Sequence, residues 1–135
     1  MRWIMVLAVV AVLASPAAAQ AWRPFDVRFA TKSHDLAPAE RDRLDAIPRQ
    51  MRATGEAPRI IIAGHADGAE GSAAEAVSLS QRRADIVRDY LTALGVPANT
   101  MTTQAFGRVR PAIESTDPEP MNQRVEITFD PGSGW

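Results

Sequence analysis

Two oppositely charged side chains, Asp67 and Arg83, stand in a pattern that could hold a small zwitterion. Asp67 closes Gly64-His65-Ala66-Asp67, which follows the apolar run Ile60-Ile61-Ile62-Ala63. Arg83 lies in Leu79-Ser80-Gln81-Arg82-Arg83-Ala84, inside a stretch with helical apolar spacing. With Val87 at the centre of that stripe, Arg83 falls about 40° from it and Arg82 about 140°, at roughly 100° per residue. Arg83 is therefore set toward the protein and Arg82 toward solvent. A guanidinium so placed seeks a carboxylate or phosphate, bidentate where it can. Asp67 stands at the end of a central strand, where ligand sites collect in open α/β sheets. On these residues alone two readings stay open. One is a pocket with a negative and a positive wall, and the other is a direct Asp67–Arg83 salt bridge tying loop to helix.

Other chemistry finds less support. His65 beside Asp67 and the separate His34 have no HxxxH or HxH spacing, so no metal site is expected. The chain has no cysteine, which excludes a thiolate nucleophile, a thiolate metal site and a lipid-anchored cysteine. No GxSxG is present, and Ser80 reads as a residue near the start of a helix. Gly64, Gly68 and Gly71 do not form GxGxxG, and no GK[ST] follows, so no nucleotide cofactor is expected. Binding is a better reading than catalysis.

The elements that must position the pair follow from periodicity. Phe25 to Phe29 alternates as a strand. A helix opens at Ala37-Pro38-Ala39-Glu40, with Leu44, Ile47 and Met51 on one stripe and Pro48 expected to kink or shorten it. Ile60-Ile61-Ile62 reads as a central strand buried on both faces. Gly64 to Ala74 is a polar loop, and a long helix runs from about Glu75 to Leu94, stopped by Gly95 and Pro97. Met101 to Phe106 is a strand, residues 107–122 are a Pro-containing loop, and Val125, Ile127 and Phe129 mark a half-buried last strand. The four phenylalanines are assigned to the core. Strand, helix, strand, helix, strand, strand predicts an α/β (α+β) two-layer sandwich with two helices on one face of a mixed four-stranded sheet.

Residues 1–21 read as a signal peptide: Arg2, an apolar run from Ile4 to Leu13, then small residues fitting cleavage after Ala19 or Ala21. Residues 22–130 form one domain and 131–135 a tail. The formal net charge of −1 becomes −2 without Arg2, which gives no electrostatic reason to expect nucleic acid as a partner. The expected product is a soluble exported protein of the periplasm, with no direct membrane anchor after cleavage.

At these residues the chain resembles the OmpA C-terminal-like family, the peptidoglycan-binding domain shared with Pal-type and MotB-type envelope proteins. The matching residues are Ile60 to Asp67, Leu79 to Leu91, Gly95-Val96, Phe106-Gly107 with Pro111, and Asn122 to Ile127, in family order over roughly Phe25 to Phe129. The resemblance implies a βαβαββ sandwich whose ligand is the diaminopimelate of the peptidoglycan stem peptide. Its ammonium would meet Asp67 and its carboxylate Arg83, with His65, Ala66 and Arg124 as secondary contacts. Alanine at Asp67 or Arg83 is then expected to abolish wall binding without unfolding the domain. If Arg83 is instead a structural partner, Arg83→Ala should lower the melting temperature as a core truncation does.

The chain departs from the family pattern at specific places. The Asp67–Arg83 connection is one residue longer, Ala76 replaces a common asparagine, and Ala30-Thr31-Lys32 stand where an acidic residue commonly follows the first strand. Asn122-Gln123-Arg124 replaces Asn-Arg-Arg. These changes remove secondary ligand contacts. They motivate an alternative, an OmpA-like domain with weakened or lost wall binding that serves protein interaction or envelope assembly.

Overall fold

A computed structural model describes residues 22–130; the signal segment and tail expected over residues 1–21 and 131–135, Trp135 included, lie outside the described residues. Strand β1 spans Phe25–Arg28, helix α1 Pro38–Thr54, β2 Arg59–Gly64, α2 Ala73–Ala93, β3 Met101–Ala105 and β4 Arg124–Asp130. The sheet order is β1-β4-β2-β3. Strand β2 runs parallel to β3, with Ile60 opposite Met101, and antiparallel to β4, with Ile62 opposite Ile127. The parallel pair requires a crossover, and α2 supplies it. The two-layer α+β sandwich predicted from the sequence is the fold observed.

One core joins the layers. Val27, Ile60, Ile62, Val125 and Ile127 of the sheet pack with Leu44 and Ile47 of α1 and with Ala84, Val87 and Leu91 of α2, all buried. The helices cover only one face of the sheet, so Ile61, pointing to the other, is half-buried rather than buried as expected for both faces. Among the phenylalanines only Phe29 is fully buried. Phe25 and Phe129 pack partly buried against the core, and Trp22 meets Phe129 edge-on with ring centres 5.3 Å apart.

Helix α1 is not shortened at Pro48; it continues to Thr54, where Gly55 at φ 72° donates its N–H to the Met51 carbonyl. Leu44, Ile47 and Pro48 are all buried. Burial at ~1.5–3 kcal/mol per large apolar side chain outweighs the ~3 kcal/mol of an interior proline. Helix α2 starts two residues before the expected Glu75, because the Ser72 hydroxyl accepts the Glu75 N–H at 3.2 Å and caps it. Ser80 is therefore mid-helix. Its Oγ accepts the Gly107 N–H at 3.0 Å and tethers the loop after β3. Strand β2 and α2 approach so closely at Gly64 that a Cβ there would lie 1.9 Å from the Ser80 carbonyl oxygen. That contact fixes the end of β2, and with it Asp67, against the helix that carries Arg83.

Candidate functional site

Arg83 points into the protein, as its helical position predicts, and has no exposed surface. Every N–H of its guanidinium faces an acceptor. Nε donates to the Ser33 carbonyl at 2.8 Å. Nη1 donates to the His65 carbonyl at 3.0 Å and to Glu70 Oε1 at 2.9 Å. Nη2 donates to the Ala30 carbonyl at 3.2 Å and to Glu70 Oε2. The planar fork thus meets a carboxylate bidentately, while main-chain carbonyls from the loop after β1 and from the end of β2 take the remaining donors. Phe29 lies under the guanidinium, 5.3 Å from ring centre to Cζ.

The carboxylate on Arg83 belongs to Glu70 and not to Asp67, which corrects the direct salt bridge entertained from the sequence. Asp67 leads a short 3₁₀ turn, Gly68–Glu70. Glu70 reaches back so that its Oε1 accepts the Asp67 N–H at 2.8 Å. The same oxygen accepts from Arg83, so one atom joins the two residues that the sequence singled out. The Asp67 carboxylate turns the other way. Its Oδ2 accepts the Glu119 N–H at 3.0 Å, and its Oδ1 accepts from Asn122 Nδ2 at 3.3 Å. Asn122 also clasps Ile113, taking its N–H at 2.9 Å and donating to its carbonyl at 2.7 Å. Asp67 is 1% exposed and anchors the 107–122 loop.

His65, Ala66 and Arg124 lie beside the pair and are buried. The His65 N–H donates to the Arg124 carbonyl, and the Ala66 N–H to the Gly107 carbonyl, each within 2.9 Å. The imidazole stacks on Phe106 at 5.3 Å. Its Nδ1 has no hydrogen-bond partner, and its Nε2 is 3.5 Å from Glu126 Oε2. Burial, followed by the Arg124 charge, lowers the His65 pKa, and Glu126 only partly opposes them. Burial pushes the Glu126 carboxyl up, but the hydrogen bond from Arg124 and the nearby imidazole outweigh it and hold the group below its ordinary value. Arg124 donates Nε to Glu126 Oε1 at 3.1 Å and Nη2 to the Arg110 carbonyl at 3.2 Å, leaving Nη1 without a partner. Among the described residues no group of three or more His, Cys, Asp or Glu is placed to hold a metal ion.

The departures from the family pattern now have positions. Ala76 is buried with Ala66 and Leu79 in a small apolar cluster. Lys32 takes a left-handed backbone at φ 57°, which turns its N–H onto Glu70 Oε2 at 2.6 Å. Next to Glu70 opens a cleft of about 500 Å³ lined by Lys32, Glu70, Glu75, Ser78, Leu79 and Arg82. Glu70 is the central residue that sequence reasoning missed. Its signal was the Asp67-x-x-Glu70 spacing, in which the glutamate of a capping-box pattern reaches back to the first residue's N–H.

A two-layer sandwich with a buried aspartate and a buried arginine, bridged by Glu70 at the end of its central strand, defines a small α+β domain with one enclosed polar site. The chain belongs to the OmpA family, whose model matches residues 28–124. Peptidoglycan-binding protein ArfA of Mycobacterium tuberculosis is 35% identical over 106 residues, covering 77% of this chain and 32% of that protein. Outer membrane protein A of Bordetella avium is 33% identical over 115 residues, covering 84% of this chain and 58% of that protein. The chain thus spans less than two thirds of these relatives. The peptidoglycan-associated lipoprotein from Burkholderia pseudomallei superposes with a TM-score of 0.72 at 23% identity, covering 78% of this chain and 89% of that one, and so shares the fold. No helix among the described residues is long and apolar enough to cross a membrane.

Proposed function

We propose that the domain is a non-catalytic module that binds cell-wall peptidoglycan through the diaminopimelate of the stem peptide. Family membership supports the class, as does the name of ArfA, a peptidoglycan-binding protein. The observation that carries the reading is the buried Arg83 fork, aimed at a carboxylate, joined through one oxygen to the backbone of the buried Asp67. A diaminopimelate ammonium suits Asp67 and its carboxylate suits Arg83; His65, Ala66 and Arg124 flank them as secondary contacts. Each charge-assisted hydrogen bond contributes about 1.5–3 kcal/mol. Attachment repeated along a polymer gains from avidity. The chain is exported to the periplasm on its signal peptide, cleaved after Ala19 or Ala21, and other envelope proteins are its further partners.

A second reading has a specific observation in its favour. The donors of Arg83 and both oxygens of Asp67 already have partners within the chain, and the Ala76 position is apolar. Wall binding would then be weak or lost, and the domain would serve protein interaction or envelope assembly.

Co-sedimentation of the chain lacking residues 1–21 with diaminopimelate-containing sacculi separates the two. Wild type is expected in the pellet, and Asp67→Asn, still folded but with a lower melting temperature because its amide NH2 faces the Glu119 N–H or the Asn122 amide, is expected to release at least tenfold more protein. Equal pelleting of the folded variant overturns the Asp67 assignment. Absence of wild type from the pellet favours the second reading. Amino-terminal sequencing of the exported protein tests the cleavage sites.

A further inference from the structure

The carboxylate site of this domain already has an occupant, and the chain supplies it. Four N–H groups converge on the two Glu70 oxygens: Arg83 Nη1 and the Asp67 backbone on Oε1, Arg83 Nη2 and the Lys32 backbone on Oε2. An arginine fork completed by two main-chain N–H groups is what a bound carboxylate needs. The ion pair is wholly buried on both sides.

Two features suggest that this occupant can leave. Glu70 ends the three-residue turn Gly68–Glu70, and Gly71 after it holds φ 129°, a backbone open to glycine. The turn belongs to the Asp67–Arg83 connection, so its movement leaves β2 and α2 in place. Glu70 also lines the cleft of about 500 Å³, where the cations Lys32 and Arg82 stand with one further carboxylate, Glu75. A carboxylate approaching Arg83 from that cleft meets Glu70 first.

We infer that Glu70 is a built-in competitor for the carboxylate site, and that an external carboxylate reaches Arg83 only by displacing it. The inference rests on the binding reading above for the identity of the external ligand. Exchange of one carboxylate for another conserves the hydrogen bonds to Arg83. The external ligand therefore gains only what its other groups add, such as an ammonium near Asp67. A tethered competitor acts at an effective concentration of ~mM or above, so the apparent affinity falls by the fraction of time the site is open. A lone carboxylate cannot open the site; a ligand with further contacts can.

The test uses Glu70→Ala and Glu70→Gln in the chain lacking residues 1–21, with acetate and a diaminopimelate-containing muropeptide as probes. Sodium acetate, compared with sodium chloride at equal ionic strength, is expected to raise the melting temperature of Glu70→Ala by several degrees and to leave wild type unmoved. Both variants are expected to bind the muropeptide at least tenfold tighter than wild type. Should Glu70→Ala fail to fold, Glu70→Gln, which fills the site without its charge, carries the muropeptide measurement, and its binding relative to wild type decides. Acetate rescue with no muropeptide binding by any form upholds the competitor and overturns the wall-binding reading. Equal muropeptide binding by wild type and variants, without acetate rescue, upholds wall binding and overturns the competitor.

Discussion

Two arginine–glutamate pairs flank the end of β2, and they differ in how completely they are closed. Arg83 and Glu70 are both fully buried, and every guanidinium N–H has an acceptor. Arg124 is buried too, yet its partner Glu126 is 38% exposed, its Nη1 has no partner, and the neighbouring His65 leaves Nδ1 unpaired. A closed pair acts as a strut, because removing either half strands a buried charge. An open pair beside an imidazole acts as a titratable patch, because water and protons reach part of it. The site is thus assembled from one half closed by its own carboxylate and one half open to water.

Arg83→Ala should strike the closed half, and hardest of all. It strands the Glu70 carboxylate and leaves the Ser33, His65 and Ala30 carbonyls without a donor. Breaking a buried pair from one side costs about 3–5 kcal/mol, read as a lower denaturation midpoint in urea. That outcome differs from loss of binding with the fold intact, the effect expected of Arg83 as a ligand group alone. A double change, Arg83→Met with Glu70→Leu, removes both charges together but still leaves the three carbonyls and the Lys32 and Asp67 N–H groups unpaired, so it should recover only the part of the loss that comes from the stranded carboxylate. Equal losses for the single and double changes would show that the ion pair is not what holds the loop.

Asn122→Ala should come second. The amide links Asp67 to both main-chain groups of Ile113, so it connects the site to the 107–122 loop that leads into β4 and the open pair. Leaving those buried groups unpaired costs about 1–3 kcal/mol. Hydrogen exchange should speed up at Ile113 and Glu119 while the α2 amides remain protected. Uniform acceleration across α2 would mean that the loop and the core unfold as one unit.

The frame of the site was legible in the sequence because periodicity determines it. The 100° step separated Arg83 from Arg82, and alternation placed Val125 and Ile127 inward. The occupant of Arg83 was not legible in that way. Glu70 lies in a 3₁₀ turn with no period, and its reach back to Asp67 appears only as a four-residue spacing. For the opposite reason Pro48 does not shorten the helix, since a local rule is outweighed by burial of the face it shares with Leu44 and Ile47. Ser80 was misplaced because the Ser72 cap begins the helix earlier.

The smallest effect belongs to the open pair and depends on pH. The fold lowers the His65 pKa below its usual 6.5, through burial and then the Arg124 charge. Between that lowered value and about 6.5 the unfolded chain binds more protons than the folded one, so stability falls as pH falls. This contribution is fully present above pH ~6.5 and is lost progressively below it, at no more than about 1.4 kcal/mol per pH unit for a single group. Glu126, whose pKa is also lowered, adds a separate loss at more acid pH, below its ordinary 4.5 and down through its folded value. Melting curves from pH 7.5 to 5 should therefore slope in wild type and flatten in His65→Gln. Glu126→Gln sharpens the comparison, because it removes the charge that partly supports imidazolium and should steepen the slope near pH 6. Parallel curves for wild type and His65→Gln would assign the acid sensitivity to groups outside this patch, leaving both arginine–glutamate pairs equally unresponsive to protons.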